Sequence, residues 1–251
     1  MNETTRRTFA KETLGSLLTM SLLETIFAQD LLGAEVKPIT ASWFAEVEAM
    51  SRELKGKQLP QLVWQNQMER LLSQIDIPDL LKFLDFDKLT HNIQIKDRGE
   101  RSVRAKFPEV EGLPRNLVFG HQIFVLGKGR SVVPHGHNNM ATSFIVLRGE
   151  FHGRHYDRLE DDRKTMIIRP TIDRQFGQGE YSTISDHKNN VHWFKATSET
   201  AFLFNIHVND LKALSGIRNG RVYVDPNGEQ LSGGRILARK IKTAEAFKLY
   251  G

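Results

Sequence analysis

The stretch Gly129 to Glu150, GRSVVPHGHNNMATSFIVLRGE, decides how the chain is read. His135 and His137 stand one residue apart just after Pro134, and the mostly apolar run Ser143 to Leu147 follows and ends before Gly149. Alternate side chains of a strand point to one face, so the two imidazoles project together. Such a pair is a ready ligand set for zinc, iron, manganese, nickel or copper. Two hydrogen-bonded strand histidines with no metal would look the same, and the pair alone leaves both readings open.

Outward from that stretch, the pattern is one of short strands. Gly127, Gly129, Gly149, Gly153, Gly177 and Gly179 punctuate the chain at close intervals. Between and after them, Leu117 to Leu126, Thr165 to Arg169, Tyr181 to Ile184, Val191 to Ala196 and Ala201 to Val208 read as strands. Ser102 to Phe107 alternates in the same way, and Asp225-Pro226-Asn227-Gly228 reads as a turn before Arg235 to Lys242 and a helix from Thr243. Short strands with regular turns predict a mainly β fold, an antiparallel sandwich or barrel, over residues 96–251.

Residues 40–95 have a different period. Trp43, Phe44, Val47 and Met50 recur at helical spacing, as do Leu62, Val63, Met68, Leu71 and Leu72 after Pro60. Pro78 opens a third helical segment with Leu80, Leu81, Phe83 and Leu84. This helical part is scaffold.

Composition narrows the function classes. Of 251 residues, 39% are hydrophobic and 26% charged, as in ordinary globular proteins. The net charge of +5 is spread along the chain with no dense Lys/Arg run among aromatics, which argues against nucleic acid as a partner. The absence of cysteine excludes disulfides, thiolate ligands and a cysteine nucleophile.

The N-terminal residues Thr5-Arg6-Arg7-Thr8-Phe9-Ala10-Lys11 precede a mostly apolar segment to Ala28. Together they resemble a twin-arginine export signal, here over residues 1–35, which implies a periplasmic protein exported already folded. The segment is short for a stable membrane span, and Glu24 interrupts it.

With the strands laid out, the opening stretch resembles the first motif of the cupin superfamily. Gly129, His135, His137 and Gly149 fall at the motif spacing, and Thr142 occupies the slot where the motif usually carries a carboxylate. The second motif supplies a further histidine. His192 on an apolar strand is the candidate, and His187 in the polar run Asp186-His187-Lys188-Asn189 is its competitor. The resemblance implies an antiparallel jelly-roll barrel with a metal held by His135, His137 and His192. Cupins without the carboxylate include the three-histidine thiol dioxygenases, such as those acting on cysteine, which bind ferrous iron. Their helical part also precedes the barrel. Their Ser-x-His-x-Tyr strand corresponds here to Asn205-Ile206-His207-Val208-Asn209, so only His207 is kept.

The resemblance therefore implies one divalent ion, iron(II) preferred, with zinc, nickel, manganese or copper also suited to three imidazoles. It implies a small-molecule substrate and dioxygen as partners, and a homodimer formed through strand edges. His207 and His155 are the expected catalytic residues, as proton donor or orienting group, with His155 also open as a fourth ligand or a wall residue. Arg104, Tyr156 and Thr142 are the expected substrate contacts. Two other readings stand beside the dioxygenase: a cupin isomerase or hydrolase with a redox-inert metal, and a ligand-binding cupin without catalysis.

Overall fold

The computed structural model describes residues 38–211 and 220–251. The twin-arginine-like segment lies outside them. Helix α1, Pro38–Lys55, places Trp43, Phe44, Val47, Met50 and Leu54 on its buried face. Helix α2, Gln61–Gln74, buries Trp64, Met68, Leu71 and Leu72 and leaves Leu62 and Val63 exposed. The Trp43 indole joins the two by donating to the Leu71 carbonyl at 2.7 Å. Helix α3, Ile77–Phe83, is capped by Asp76, whose carboxylate accepts from the Asp79 amide at 2.9 Å, and α4 is the short turn Phe86–Thr90. No helix among the described residues is long and apolar enough to cross a membrane.

Eleven strands follow among the described residues. The first sheet holds β1 (Arg101–Val103), β2 (Gly120–Gly127), β9 (Thr200–Asn209), β4 (Met140–Arg148) and β7 (Tyr181–Ile184), hydrogen-bonded in that order. A second group of six closes on itself: β3 (Ser131–Asn138), β10 (Gly220–Leu231), β11 (Arg235–Lys240), β6 (Thr165–Phe176), β5 (Phe151–Asp161) and β8 (Val191–Ala196). Every pairing is antiparallel. The fold is mainly β and cupin-like, with helices ahead of the barrel, as the sequence predicts. The chain closes with helix α5, Thr243–Tyr250.

Strand alternation divides the packing into layers. On β2, β4 and β9, one set of side chains (Ile123, Val125, Ala141, Ile145, Phe204, Ile206 and Val208 among them) packs against α1 to α4 in one cluster. The alternate set, Phe124, Leu126, Phe144, Val146, Ala201 and Leu203, packs between the two groups of strands against Val132, Phe151, Phe176 and Phe194. A third cluster, with Tyr156, Val191, Val224 and Ile236, lies on the opposite face of β5 and β8.

Two local expectations change. Strand β1 stops at Val103, so the strand expected to Phe107 is cut short and Arg104 stands exposed just past its end. Asp225-Pro226-Asn227-Gly228 is not a hairpin turn but a register shift inside β10, where Pro226 interrupts the ladder and Asp225 accepts from the Asn227 amide. The hairpin closes instead at Ser232–Gly234, where Gly233 and Gly234 have φ of 70° and 69°, values that glycine adopts without strain.

Candidate metal centre

Pro134 shapes the site. Between β3 and β8, Val132 faces Phe194 and His135 faces His192, so β3 carries one residue more than its partner there. This is a β-bulge, a position that tolerates a proline because the lost N–H is not needed for the ladder. The bulge shifts parity, so that Val132, His135 and His137 face the interior on one strand. On β8, His192 shares that face with Phe194 and Ala196.

The three imidazoles converge. One nitrogen from each of His135, His137 and His192 lies within 4.8 Å of the others, and all three residues are buried. Ring centroids stand 4.3 Å apart for His135–His192, 4.8 Å for His135–His137 and 5.0 Å for His137–His192. The Nδ1 atoms of His135 and His192 face the carbonyls of Val133, at 2.7 Å, and Asn190, at 3.4 Å. A carbonyl only accepts, so each Nδ1 carries the proton and each Nε2 keeps its lone pair. Those two Nε2 atoms and Nδ1 of His137 are buried with no hydrogen-bond partner. Buried nitrogens without partners are costly unless something else satisfies them. A carbonyl behind a ligand imidazole is also the usual support of a metal-binding histidine. These residues fit a metal ion.

Electrostatics agrees with the donor set. Burial is the first cause that holds His137 down to about 3, with the Arg221 guanidinium and His207 adding to it. His135 and His192 are also held well below the ordinary imidazole range, again by burial first and then by neighbouring charges. The imidazoles are therefore neutral near pH 7, the form that binds metal.

Supporting side chains hold the ligand strands. Asn190 donates through Nδ2 to the carbonyls of His137 and Ser185, both at 2.9 Å, tying β3 to the loop before β8. A Cβ on Gly136 would lie 2.6 Å from Asn190 Oδ1, so glycine between the two histidines is what lets this amide approach. Asp186 accepts from the Asn139 amide at 2.9 Å and from Gln61 of α2 at 3.0 Å, joining the helical layer to the β3–β4 turn. Arg158 donates to Asn138 Oδ1 at 2.7 Å at the same turn.

The other predicted site residues fall in different places. His187, the competitor of His192, is exposed on its loop. His155 is fully buried, pairs across strands with His192 and meets Ser182 Oγ at 3.3 Å, so it lies beside the triad and is not one of the clustered ligands. Burial, with Arg174 second, holds it at about 3. Thr142 is buried, donating to the Ile206 carbonyl at 2.9 Å and accepting from Asn205. It faces His207 across the β4–β9 ladder. Burial, then Arg104 and Arg221, lower His207 to about 4. Arg104 is near enough to act on His207 and His121 but is exposed. Tyr156 packs in the third cluster, on the face of β5 opposite His155, so it does not join the triad.

Arg221 was not foreseen. It pairs with His137 across the β10–β3 ladder, and its charge acts on His135, His137, His192 and His207. Glu100, buried, holds it by an ion pair of 2.6 Å. Nothing local marks this arginine, because its place depends on a ladder between strands far apart in the chain. Asn205 could have been found from its parity with His207.

No family model matches this sequence, and no curated protein resembles it. Among solved structures, a part of the chain is similar to seed 11S globulins. That of Wrightia tinctoria is 18% identical with a TM-score of 0.31, over 42% of this chain and 22% of the globulin. The pumpkin pro-11S globulin is 18% identical with a TM-score of 0.36, over 51% of this chain and 29% of that one. An uncharacterized conserved protein with a double-stranded β-helix domain from Klebsiella pneumoniae is 10% identical with a TM-score of 0.35, over 54% of this chain and 87% of that one. The chain thus spans under a third of the length of these two globulins. No activity follows from likenesses this distant. What the molecule itself presents is a cupin-like barrel with a buried three-histidine cluster that could hold a metal ion.

Proposed function

We propose that the chain is a metal-dependent enzyme of the cupin type, a non-haem iron dioxygenase acting on a small anionic organic substrate. The observation that carries this reading is the triad itself: three neutral imidazoles with partnerless nitrogens and no carboxylate among the clustered ligands. Bound there, a divalent ion would supply Lewis acidity and open positions for substrate and dioxygen. Three neutral ligands leave the full charge of the ion in place, and Arg221 adds to it. That field favours a substrate with an anionic group. Phe144, whose ring centroid lies 5.3 Å from that of His192, and Phe194 shield the buried side of the cluster from water. His207 and His155 flank the triad as groups that bind and orient substrate. Arg6 and Arg7 support an exported, periplasmic destination.

A redox-inert ion in the same triad would suit isomerisation or hydrolysis instead, and oxygen uptake separates the two. The expected result is about one iron per chain in anaerobically purified protein, lost in His135→Ala or His192→Ala, with oxygen consumption on a subset of small thiols and acids. Metal content unchanged by either substitution would refute the site. Turnover without oxygen uptake would move the reading to the redox-inert class.

A further inference from the structure

One imidazole of the interior sits where its neighbours dictate which nitrogen bears the proton. Asn205 is buried on β9 and donates through Nδ2 to Thr142 Oγ1 at 2.5 Å and to the Ser143 carbonyl at 3.1 Å. A carbonyl only accepts, so the amide cannot be turned over, and its oxygen faces the other way. There it accepts from Gln122 Nε2 at 3.2 Å, and Gln122 is itself held by the Ser102 hydroxyl at 2.5 Å. His207 Nδ1 stands 3.1 Å from the same oxygen, so Nδ1 carries the proton.

The other nitrogen is then a lone-pair acceptor in the neutral ring. Burial, Arg104 and Arg221 all favour that neutral ring. Nε2 lies against Gly120, the cross-strand neighbour of His207, where an added Cβ would come within 2.2 Å of it. No described residue hydrogen-bonds this nitrogen. His207 alternates with Ala201 and Leu203, so it is on the interior face of β9, near enough to His137 that a proton on one would be felt by the other.

We propose that Asn205 is a positioning residue that fixes His207 in its Nδ1–H form, presenting Nε2 to the metal cavity as a hydrogen-bond acceptor. The ligand it fits is an anion that carries an O–H or N–H next to its charged group: the charge meets Arg221, and the donor meets His207. The ligand half rests on the reading of the triad as a metal site. The Asn205 half does not. Of the two roles that the sequence suggests for His207, proton donor and orienting group, it favours the second, with the ring acting as an acceptor.

The first test needs no metal. In nitrogen-15 imidazole spectra of the metal-free full chain at pH 7.5, with the signals assigned through His207→Gln, Nδ1 is expected protonated and Nε2 bare. Asn205→Leu should shift the ring toward the other tautomer or a mixture. Asn205→Asp, whose carboxylate still accepts from Nδ1, should restore the Nδ1–H form and shows that any change is not general misfolding. A protonated Nε2 in the parent protein, or spectra unchanged by Asn205→Leu, overturns the assignment.

The second test titrates zinc-loaded protein with lactate and with propionate. Lactate should bind about threefold to tenfold more tightly, the span of one hydrogen bond, and the ratio should fall to near one in Asn205→Leu. Equal binding of the two acids overturns the ligand class, as does binding of neither. A preference that Asn205→Leu keeps would mean chelation of zinc by lactate alone, and also overturns it. Failure to load zinc at all would refute the triad reading while leaving the tautomer result standing.

Discussion

The barrel interior has two halves built on the same strands. Toward one end, Leu126, Val132, Val146, Phe151, Phe176, Phe194, Ala196 and Leu203 interlock as an apolar plug. Toward the other, the same alternation sets His135, His137, His155, His192, Thr142, Asn205 and His207 facing inward, nearly all of them buried. The plug gains from every buried carbon, because apolar area removed from water stabilises at about 25 cal/mol per Å². The polar half gains nothing of that kind. It keeps neutral imidazoles with partnerless nitrogens, a cost that an interior tolerates only where function repays it. One half holds the barrel shut, and the other uses the space so enclosed.

Removing part of the plug should separate the two most sharply. Phe151 is fully buried in the apolar cluster, with its ring centroid 6.3 Å from that of Phe194. Phe151→Ala should cost about 3–5 kcal/mol in urea unfolding, the usual range for a large aromatic lost from a core. Metal stoichiometry of the protein that remains folded should not change. Loss of metal in parallel with stability would mean that the halves are one cooperative unit.

Acid should act on the opposite half. His137 and His155 are held at about 3 in the folded chain, against about 6.5 when unfolded. As pH falls below 6.5, the unfolded chain takes up protons that the folded chain refuses, so stability falls and continues to fall until about pH 3. At pH 5 each of these two buried histidines should cost about 2 kcal/mol relative to pH 7.5. Metal-free protein unfolded by urea at the two pH values measures this directly. Stability that stayed flat between them would contradict neutral burial. Phe151→Ala should lower the whole curve without changing its slope.

The sequence made the apolar half and the triad legible for the same reason. Alternation is local, so His135 and His137 declare a shared face, and the apolar neighbours of His192 declare a buried strand. What stayed hidden depends on register between distant strands. Arg221 reaches the cavity only because β10 pairs with β3. Arg104 was expected on a strand, but the pairing of β1 with β2 ends at Val103. Tyr156 shares a local run with His155, yet adjacent residues of a strand face opposite ways, and its ring packs with Val191 and Val224. The Asp-Pro-Asn-Gly signal reads as a turn because turn chemistry is local, but β10 runs through it with a register shift. Two glycines at residues 233 and 234 took that role instead.

Thr142 is where the two halves meet, and it gives the smallest and most discriminating effect. It stands in the slot that a carboxylate ligand would fill, but its hydroxyl is spent on the Ile206 carbonyl and the Asn205 amide. Thr142→Val keeps the shape and removes both bonds. Asn205 Nδ2 still has the Ser143 carbonyl, so the loss should be about 1 kcal/mol, as for one net hydrogen bond. If Thr142 serves only to hold Asn205, metal content will be unchanged in this variant, and the His207 ring will show a partial shift of tautomer. A loss of metal would instead make the hydroxyl part of the metal site, and the site would then be more than three histidines. That outcome would also bring β4 into the metal site, since Thr142 is the residue of the polar half that β4 supplies.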